Sequence, residues 1–108
     1  MTRTIACIFV LGLSSSTAFA QSPAERGQKV YAEQKCSICH SVAGVGNKKG
    51  PLDDVGSKLK TDEIREWIVD AKGMTAKTKA MRKPAMKAYA LPKADVDALV
   101  AYLSTLKK

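Results

Sequence analysis

Histidine and cysteine are scarce in this chain, which limits the metal and redox chemistry it can support. It has one histidine, His40, and three cysteines, Cys7, Cys36 and Cys39. Structural zinc normally takes four ligands, so Cys36, Cys39 and His40 fall one ligand short of a zinc site. No stretch alternates between apolar and polar residues as a strand does, which disfavours a thioredoxin-like dithiol at a strand-to-helix junction.

The chain also lacks a second long apolar run, and the one that it has lies near residue 1. Ile5 to Leu13 follows Arg3 and precedes Ala18-Phe19-Ala20, an arrangement typical of a secretory signal cleaved after Ala20. The run is too short to span a bilayer, which disfavours a retained anchor. Cys7 lies inside the run, whereas a lipoprotein cysteine would directly follow it. We therefore expect residues 1–20 to be removed and residues 21–108 to form one periplasmic domain without a transmembrane anchor.

The other two cysteines and the histidine lie together as Cys36-Ser37-Ile38-Cys39-His40. Cys-x-x-Cys-His is the attachment signature of a c-type haem. On a helical turn the two thiols and the imidazole project toward one side. The thiols can then add to the porphyrin vinyl groups, while the imidazole reaches the iron as a neutral nitrogen donor. The motif predicts one covalently bound haem c per chain, with Cys36 and Cys39 as thioether attachments and His40 as the proximal iron ligand.

Acidic residues are few relative to basic ones, and the imbalance is concentrated in one segment. The whole chain carries a formal charge of +8, and loss of Arg3 with the signal lowers it by one, to +7. Residues 72–93 include seven Lys or Arg side chains and no Asp or Glu. Nucleic acid is not the expected target, because the chain is predicted to be exported and carries no recognition motif.

Three segments have the spacing of amphipathic helices. The first begins with the capping box Ser22-Pro23-Ala24-Glu25, which has proline at the first helical position, and runs to about Lys35. The second is capped by Thr61 or Asp62 and ends at Gly73. The third runs from about Lys93 to Leu106. The glycine-rich segment after His40 and the basic stretch before Leu91 show no periodic pattern, so the sequence predicts an all-α domain with long loops.

The mature chain resembles a class I c-type cytochrome, the small monohaem cytochromes c of bacteria, over nearly all of its length. The resemblance implies the cytochrome c fold, in which three main helices and loops wrap one covalent haem and the terminal helices cross. Gly27 and Tyr31 resemble the glycine and aromatic residue of the first crossing helix, and Leu99 and Tyr102 resemble their partners on the last. Gly50-Pro51 resembles the Gly-Pro whose proline carbonyl accepts the Nδ1 proton of the ligating histidine, here His40.

A second axial ligand must come from a residue other than histidine, since His40 is the only one. A thioether is soft and polarizable and raises the reduction potential, so Met74, Met81 and Met86 are the candidates. Met86 is favoured because Met86-Lys87-Ala88-Tyr89 resembles the methionine loop of the family, although Lys87 stands where proline is common. Met81 is the second choice. The methionines that do not bind iron are expected to fill gaps in the packing.

Two aromatic residues are further candidates for the haem environment. The Trp67 indole could donate to a haem propionate, as a tryptophan does in some relatives, or it could simply pack in the core. The role of Tyr89 is equally open.

An iron with both axial positions filled leaves no site for a substrate, so the sequence predicts an electron carrier and not an enzyme. Lys79, Arg82, Lys83 and Lys87 would present positive charge to an acidic redox partner, or they could simply keep the protein soluble. The expected partner is a dehydrogenase, a membrane complex, or a terminal oxidase or reductase, and the expected state is a monomer. Two alternatives stay open: a haem subunit docked permanently on a periplasmic oxidoreductase, and a haem-based ligand sensor.

Overall fold

The computed structural model of the chain describes Gly12 and residues 21–108. The predicted signal segment, residues 1–20, lies outside the described residues apart from Gly12. Helices account for most of the regular structure in the described part: α1 (Pro23–Glu33), α2 (Val55–Lys58), α3 (Thr61–Val69), α4 (Ala71–Thr78) and α5 (Lys93–Ser104). No helix in this part of the chain is both long and apolar enough to cross a membrane.

The first helix begins where the capping sequence predicts. Ser22 is the N-cap, and its hydroxyl oxygen accepts the backbone N–H of Glu25 at 3.2 Å. Pro23 occupies the first helical position, where a missing N–H costs nothing. The helix ends at Glu33, two residues before the predicted end. Lys35 then adopts a left-handed conformation with φ 56°, which turns the chain into the haem-attachment motif.

The basic stretch contains a helix that the sequence reading missed, and Gly73 does not end the second helix. α3 ends at Val69, and Asp70 breaks the helix with an extended φ of −141°. The Asp70 carboxylate then accepts the backbone N–H of Gly73 at 3.2 Å and caps α4. The apolar spacing of the sequence continues through Ala71 and does not indicate this break, because an N-capping aspartate can start a new helix within a continuous apolar pattern.

A small hairpin follows the attachment motif, where the sequence showed only turn residues. Strands β1 (Ser41–Val42) and β2 (Val45–Gly46) pair antiparallel, with Val42 opposite Val45. The two connecting residues, Ala43 and Gly44, have φ of 51° and 78°. Positive φ at both positions is the requirement of the tight turn that joins twisted strands. Strands of two residues are too short to produce a visible alternation in the sequence.

The terminal helices α1 and α5 cross at close range and organise the core. Gly27 permits the crossing, because a Cβ at this position would overlap the backbone carbonyl of Ala98 and the Cβ of Tyr102. The rings of Tyr31 and Tyr102 meet edge to face, with centroids 5.7 Å apart. The core also includes these buried residues of α1, α3 and α5: Val30, Ile64, Ile68, Val96, Leu99, Val100 and Leu103.

Ion pairs on the outside of this core connect the same three helices. Arg26 of α1 contacts Asp95 of α5 at 2.8 Å, and Arg65 of α3 contacts Asp97 of α5 at 2.6 Å. Exposed ion pairs contribute little to stability because water screens them, so the packed core provides most of the stability. The predictions of an all-α domain and of crossing terminal helices are confirmed.

Replacing Gly27 by alanine should destabilise the protein despite the higher helix propensity of alanine. The added Cβ would push against the Ala98 backbone, which cannot move aside as a flexible side chain can. Overpacking of this kind costs about 1–3 kcal/mol of unfolding free energy, measurable by chemical denaturation of the holoprotein. Gln28→Ala, an exposed change on the same helix, is the matched control. Equal stability of the two variants would contradict close packing at the crossing.

Candidate haem site

The attachment motif forms a compact turn at the end of α1. Residues Cys36–Ile38 make one 3₁₀ turn, and the backbone N–H groups of Cys39 and His40 both donate to the Cys36 carbonyl, at 3.2 and 2.9 Å. This turn places Cys36, Cys39 and His40 on the wall of a single cavity. The two thiols are not joined to each other. Burial raises the pKa of the Cys36 thiol, so it is held in the neutral form.

The His40 imidazole is held in a neutral, oriented state. Its Nδ1 lies 3.0 Å from the carbonyl oxygen of Gly50 and donates to it. Burial lowers the pKa of His40, the nearby Arg82 charge lowers it further, and the bond to Gly50 only partly opposes them. With Nδ1 occupied as a donor, the other ring nitrogen is left with its lone pair, which is the form that binds a metal.

The residue that accepts from His40 is Gly50 and not Pro51, so this expectation is corrected. The Gly50 carbonyl also accepts the backbone N–H of Ser41 at 3.1 Å, while the Ser41 carbonyl accepts the N–H of Leu52 at 2.8 Å. These two hydrogen bonds fix the direction of the Gly50 carbonyl and orient the following peptide group in the opposite direction. Pro51 is exposed to solvent and also lines the cavity.

The cavity beside His40 has a volume of about 700 Å³, within the range of about 300–1,000 Å³ that cofactor sites occupy. Apolar side chains from several helices form its walls, including Ile64 and Ile68 of α3 and Leu99 and Leu103 of α5. An apolar cavity with two thiols and one neutral imidazole on its wall fits a covalently attached haem. These residues would hold the porphyrin by two thioether bonds and its iron by the His40 nitrogen.

The three methionines differ in their position relative to this cavity. Met86 lines it and is half-buried. Met81 is 88% exposed, and Met74 is 3% exposed within α4; neither is part of the cavity wall. Met74 packs as a core residue, as expected for a methionine that does not bind iron. The side chain of Met86 is thus the thioether that shares a cavity with His40.

The two aromatic candidates also line the cavity. Trp67 is half-buried, and its indole N–H has no hydrogen-bond partner among residues 21–108. Tyr89 is connected to α3, because its backbone N–H donates to the Ile68 carbonyl at 2.8 Å. The Nζ of Lys87 lies 5.1 Å from the centre of the Tyr89 ring, which places a cation over an aromatic face.

Sequence reasoning missed part of the cavity wall. Part of the wall is formed by Leu52, Val55 and Leu59. Their spacing of three and four residues is a helical signal, but it lies in the glycine-rich segment that was expected to form a loop. Thr75 and Thr78 also belong to the wall and come from α4, the helix that was not predicted. Their positions follow from the start of α4 at the Asp70 cap, and the apolar periodicity of the sequence does not indicate that start.

The four candidate docking residues divide into two groups. Arg82 and Lys87 contribute to the cavity wall, whereas Lys79 and Lys83 do not and are exposed. Lys79 ends α4 with a left-handed φ of 56°. All four lie in or next to the loop that carries Met86, so the positive charge is adjacent to one side of the cavity.

Comparison with known proteins agrees with this site. The family described as Cytochrome c matches residues 24–107, nearly all of the described chain. The chain belongs to the cytochrome c family, which binds covalently attached haem c and serves electron transport, and Cys36 and Cys39 stand in its attachment positions. The predicted cytochrome c fold is confirmed.

A more specific likeness is to a larger protein. The chain is 28% identical over 93 residues to cytochrome c oxidase subunit 2 of Alkalihalophilus pseudofirmus. The match covers 78% of this chain, and the chain spans about a quarter, 26%, of the length of that relative. No solved structure matches the chain significantly.

Without its haem the polypeptide should be largely unfolded. The cavity is a groove lined largely by apolar side chains, and a small domain that leaves such a surface in contact with water buries too little apolar area to be stable by itself. Near-ultraviolet circular dichroism of protein in which Cys36 and Cys39 are both replaced by alanine checks this, with the haem-loaded protein as control. A native-like aromatic spectrum of the haem-free protein would contradict it.

Proposed function

We propose that this protein is a periplasmic one-electron carrier, and not an enzyme, whose haem iron is ligated by His40 and Met86. When bound, haem c supplies the Fe(II)/Fe(III) couple. The observation that carries the proposal is that the His40 imidazole and the Met86 thioether line the same cavity, while Met81 is 88% exposed. Ligands on both sides leave no position for a substrate, which favours electron transfer over catalysis.

The residues around the cavity suit this role. Gly50 orients the imidazole through a 3.0 Å bond, and the apolar side chains of α3 and α5 exclude water. A dry, rigid surrounding limits the reorganisation that accompanies a change of charge. The periplasmic location rests on the signal-like segment ending at Ala20 and on the use of a c-type attachment motif.

Replacing Met86 by alanine should abolish the iron–sulfur charge-transfer absorption band of the ferric protein and lower its reduction potential, because a soft thioether favours the ferrous state. Met81→Ala is the matched control and should leave both unchanged, since that side chain faces solvent. Absorption spectra in both redox states and a potentiometric titration measure these quantities. A band that survives in Met86→Ala and disappears in Met81→Ala would assign the ligand to Met81.

We propose that the partner is an acidic redox protein that meets the basic loop containing Lys79, Arg82, Lys83 and Lys87. Lys79, Lys83 and Lys87 are exposed, and none of the four forms an ion pair among the described residues. Free surface cations raise the encounter rate with a negatively charged partner by long-range attraction.

Electron transfer to such a partner should slow with added salt. The screening length falls from about 30 Å at 0.01 M to about 8 Å at 0.15 M, so we expect a rate decrease of about tenfold or more over this range. Stopped-flow kinetics with the physiological acceptor measures it. Lys83→Gln should weaken the dependence, and Lys29→Gln, on α1 and paired with Glu33, should not. A rate independent of salt would exclude electrostatic docking.

The similarity to an oxidase subunit favours one alternative, a haem subunit held permanently on a membrane-bound oxidoreductase. In that case the basic loop would be a stable interface. Size-exclusion chromatography of a native extract separates the two functions, because a free carrier elutes at the size of the single chain and a docked subunit elutes with its complex.

A further inference from the structure

The loop that carries Met86 has few connections to the rest of the protein. It runs from Lys79, after α4, to Pro92, before α5. At one end the Ala80 N–H donates to Thr75, and at the other the Tyr89 N–H donates to Ile68 at 2.8 Å. Between these two bonds, residues 81–88 make no hydrogen bond within the part of the chain that the structure describes. Met86 therefore depends on side-chain contacts for its position.

The side chain of Arg82 makes one such contact, with the backbone of Gly50. A Cβ built on Gly50 would overlap Nη1 of Arg82 and the carbonyl oxygen of Cys39. The guanidinium of Arg82 thus lies against the backbone of Gly50 and beside the Cys39 carbonyl. Arg82 is half-buried, lines the cavity, and forms no ion pair among residues 21–108. A side chain at position 50 would clash with the Cys39 carbonyl and would displace the guanidinium from this position.

Gly50 is also the residue that orients the proximal imidazole. Its carbonyl oxygen accepts the Nδ1 proton of His40 at 3.0 Å and the N–H of Ser41 at 3.1 Å. Arg82, four residues before Met86, therefore contacts the same Gly50 peptide group that orients the His40 imidazole. The loop is connected to α3 on one side of Met86, through Tyr89, and to the attachment turn on the other side, through Arg82.

We propose that Arg82 is a positioning residue that holds the Met86 loop against the Gly50 turn and so keeps the Met86 thioether at the iron. This inference rests on the proposed His40 and Met86 ligation. A loop fixed at both ends of its functional residue has fewer conformations in which that residue is displaced. Without the Arg82 contact, the hydrogen bond from Tyr89 to Ile68 is the nearest hydrogen bond that holds the loop beside Met86, and an external ligand can replace the thioether more easily.

The test measures how readily imidazole displaces Met86 from the ferric holoprotein. The iron–sulfur charge-transfer band is followed during an imidazole titration of wild type, Arg82→Ala, Arg82→Gln and Lys49→Ala. Arg82→Gln preserves the length and a planar polar end, which protects the test against a folding defect of the alanine variant. Lys49→Ala removes one positive charge from the same turn, but its side chain is exposed and does not line the cavity.

Both Arg82 variants should bind imidazole about tenfold more tightly than wild type, which corresponds to about 1.4 kcal/mol, while Lys49→Ala stays within about twofold. Their unfolding midpoints should remain close to that of wild type, since positioning and not folding is lost. Imidazole affinities of both Arg82 variants within twofold of wild type, or an equal increase in Lys49→Ala, would overturn the proposal.

Met86→Ala separates a failure of this inference from a failure of the proposed ligation. If wild type shows the band, Met86→Ala abolishes it and the Arg82 variants behave as wild type, the inference alone is wrong. If Met86→Ala retains the band, the ligation on which the inference rests is wrong.

Discussion

Packing of apolar side chains from α3 and α5 forms both the core of the domain and the cavity beside His40. Ile64 and Ile68 of α3 and Leu99 and Leu103 of α5 are core residues and wall residues at the same time. The same side chains therefore hold the helices together and form the wall of the haem site. Because a small domain buries little apolar surface, we expect the cofactor to contribute to folding as well as to function.

The crossing of α1 and α5 supplies part of the cavity wall, because Tyr31 of α1 and Leu99 of α5 both line the cavity. Gly27 brings the two helices into backbone contact with Ala98, and the chain leaves α1 through a left-handed turn at Lys35. The attachment motif therefore begins directly after the helix that takes part in the crossing, and it contacts that helix.

Within residues 21–108, acidic residues pair with arginines of the helices but not with the cations of the loop that carries Met86. Arg26 and Arg65 are paired with acidic residues of α5 and support the helix packing. The cations of the Met86 loop have no acidic partners among the described residues, and the segment 72–93 contains no Asp or Glu. Unpaired surface charge does not stabilise the compact state, so the concentration of these cations on one loop is consistent with the proposed docking and with a role in solubility.

Local sequence patterns are enough to predict the haem chemistry and the main helices. Cys36, Cys39 and His40 are adjacent in the chain, so local spacing was enough to predict haem attachment, and apolar periodicity predicted α1, α3 and α5. Three features became visible only in the folded chain: the Gly50 carbonyl accepts from His40, Met86 shares the cavity with His40, and Arg82 contacts Gly50. These residues are separated by ten or more positions, and their contacts depend on loop paths and on the Asp70 cap, which leave no periodic pattern in the sequence.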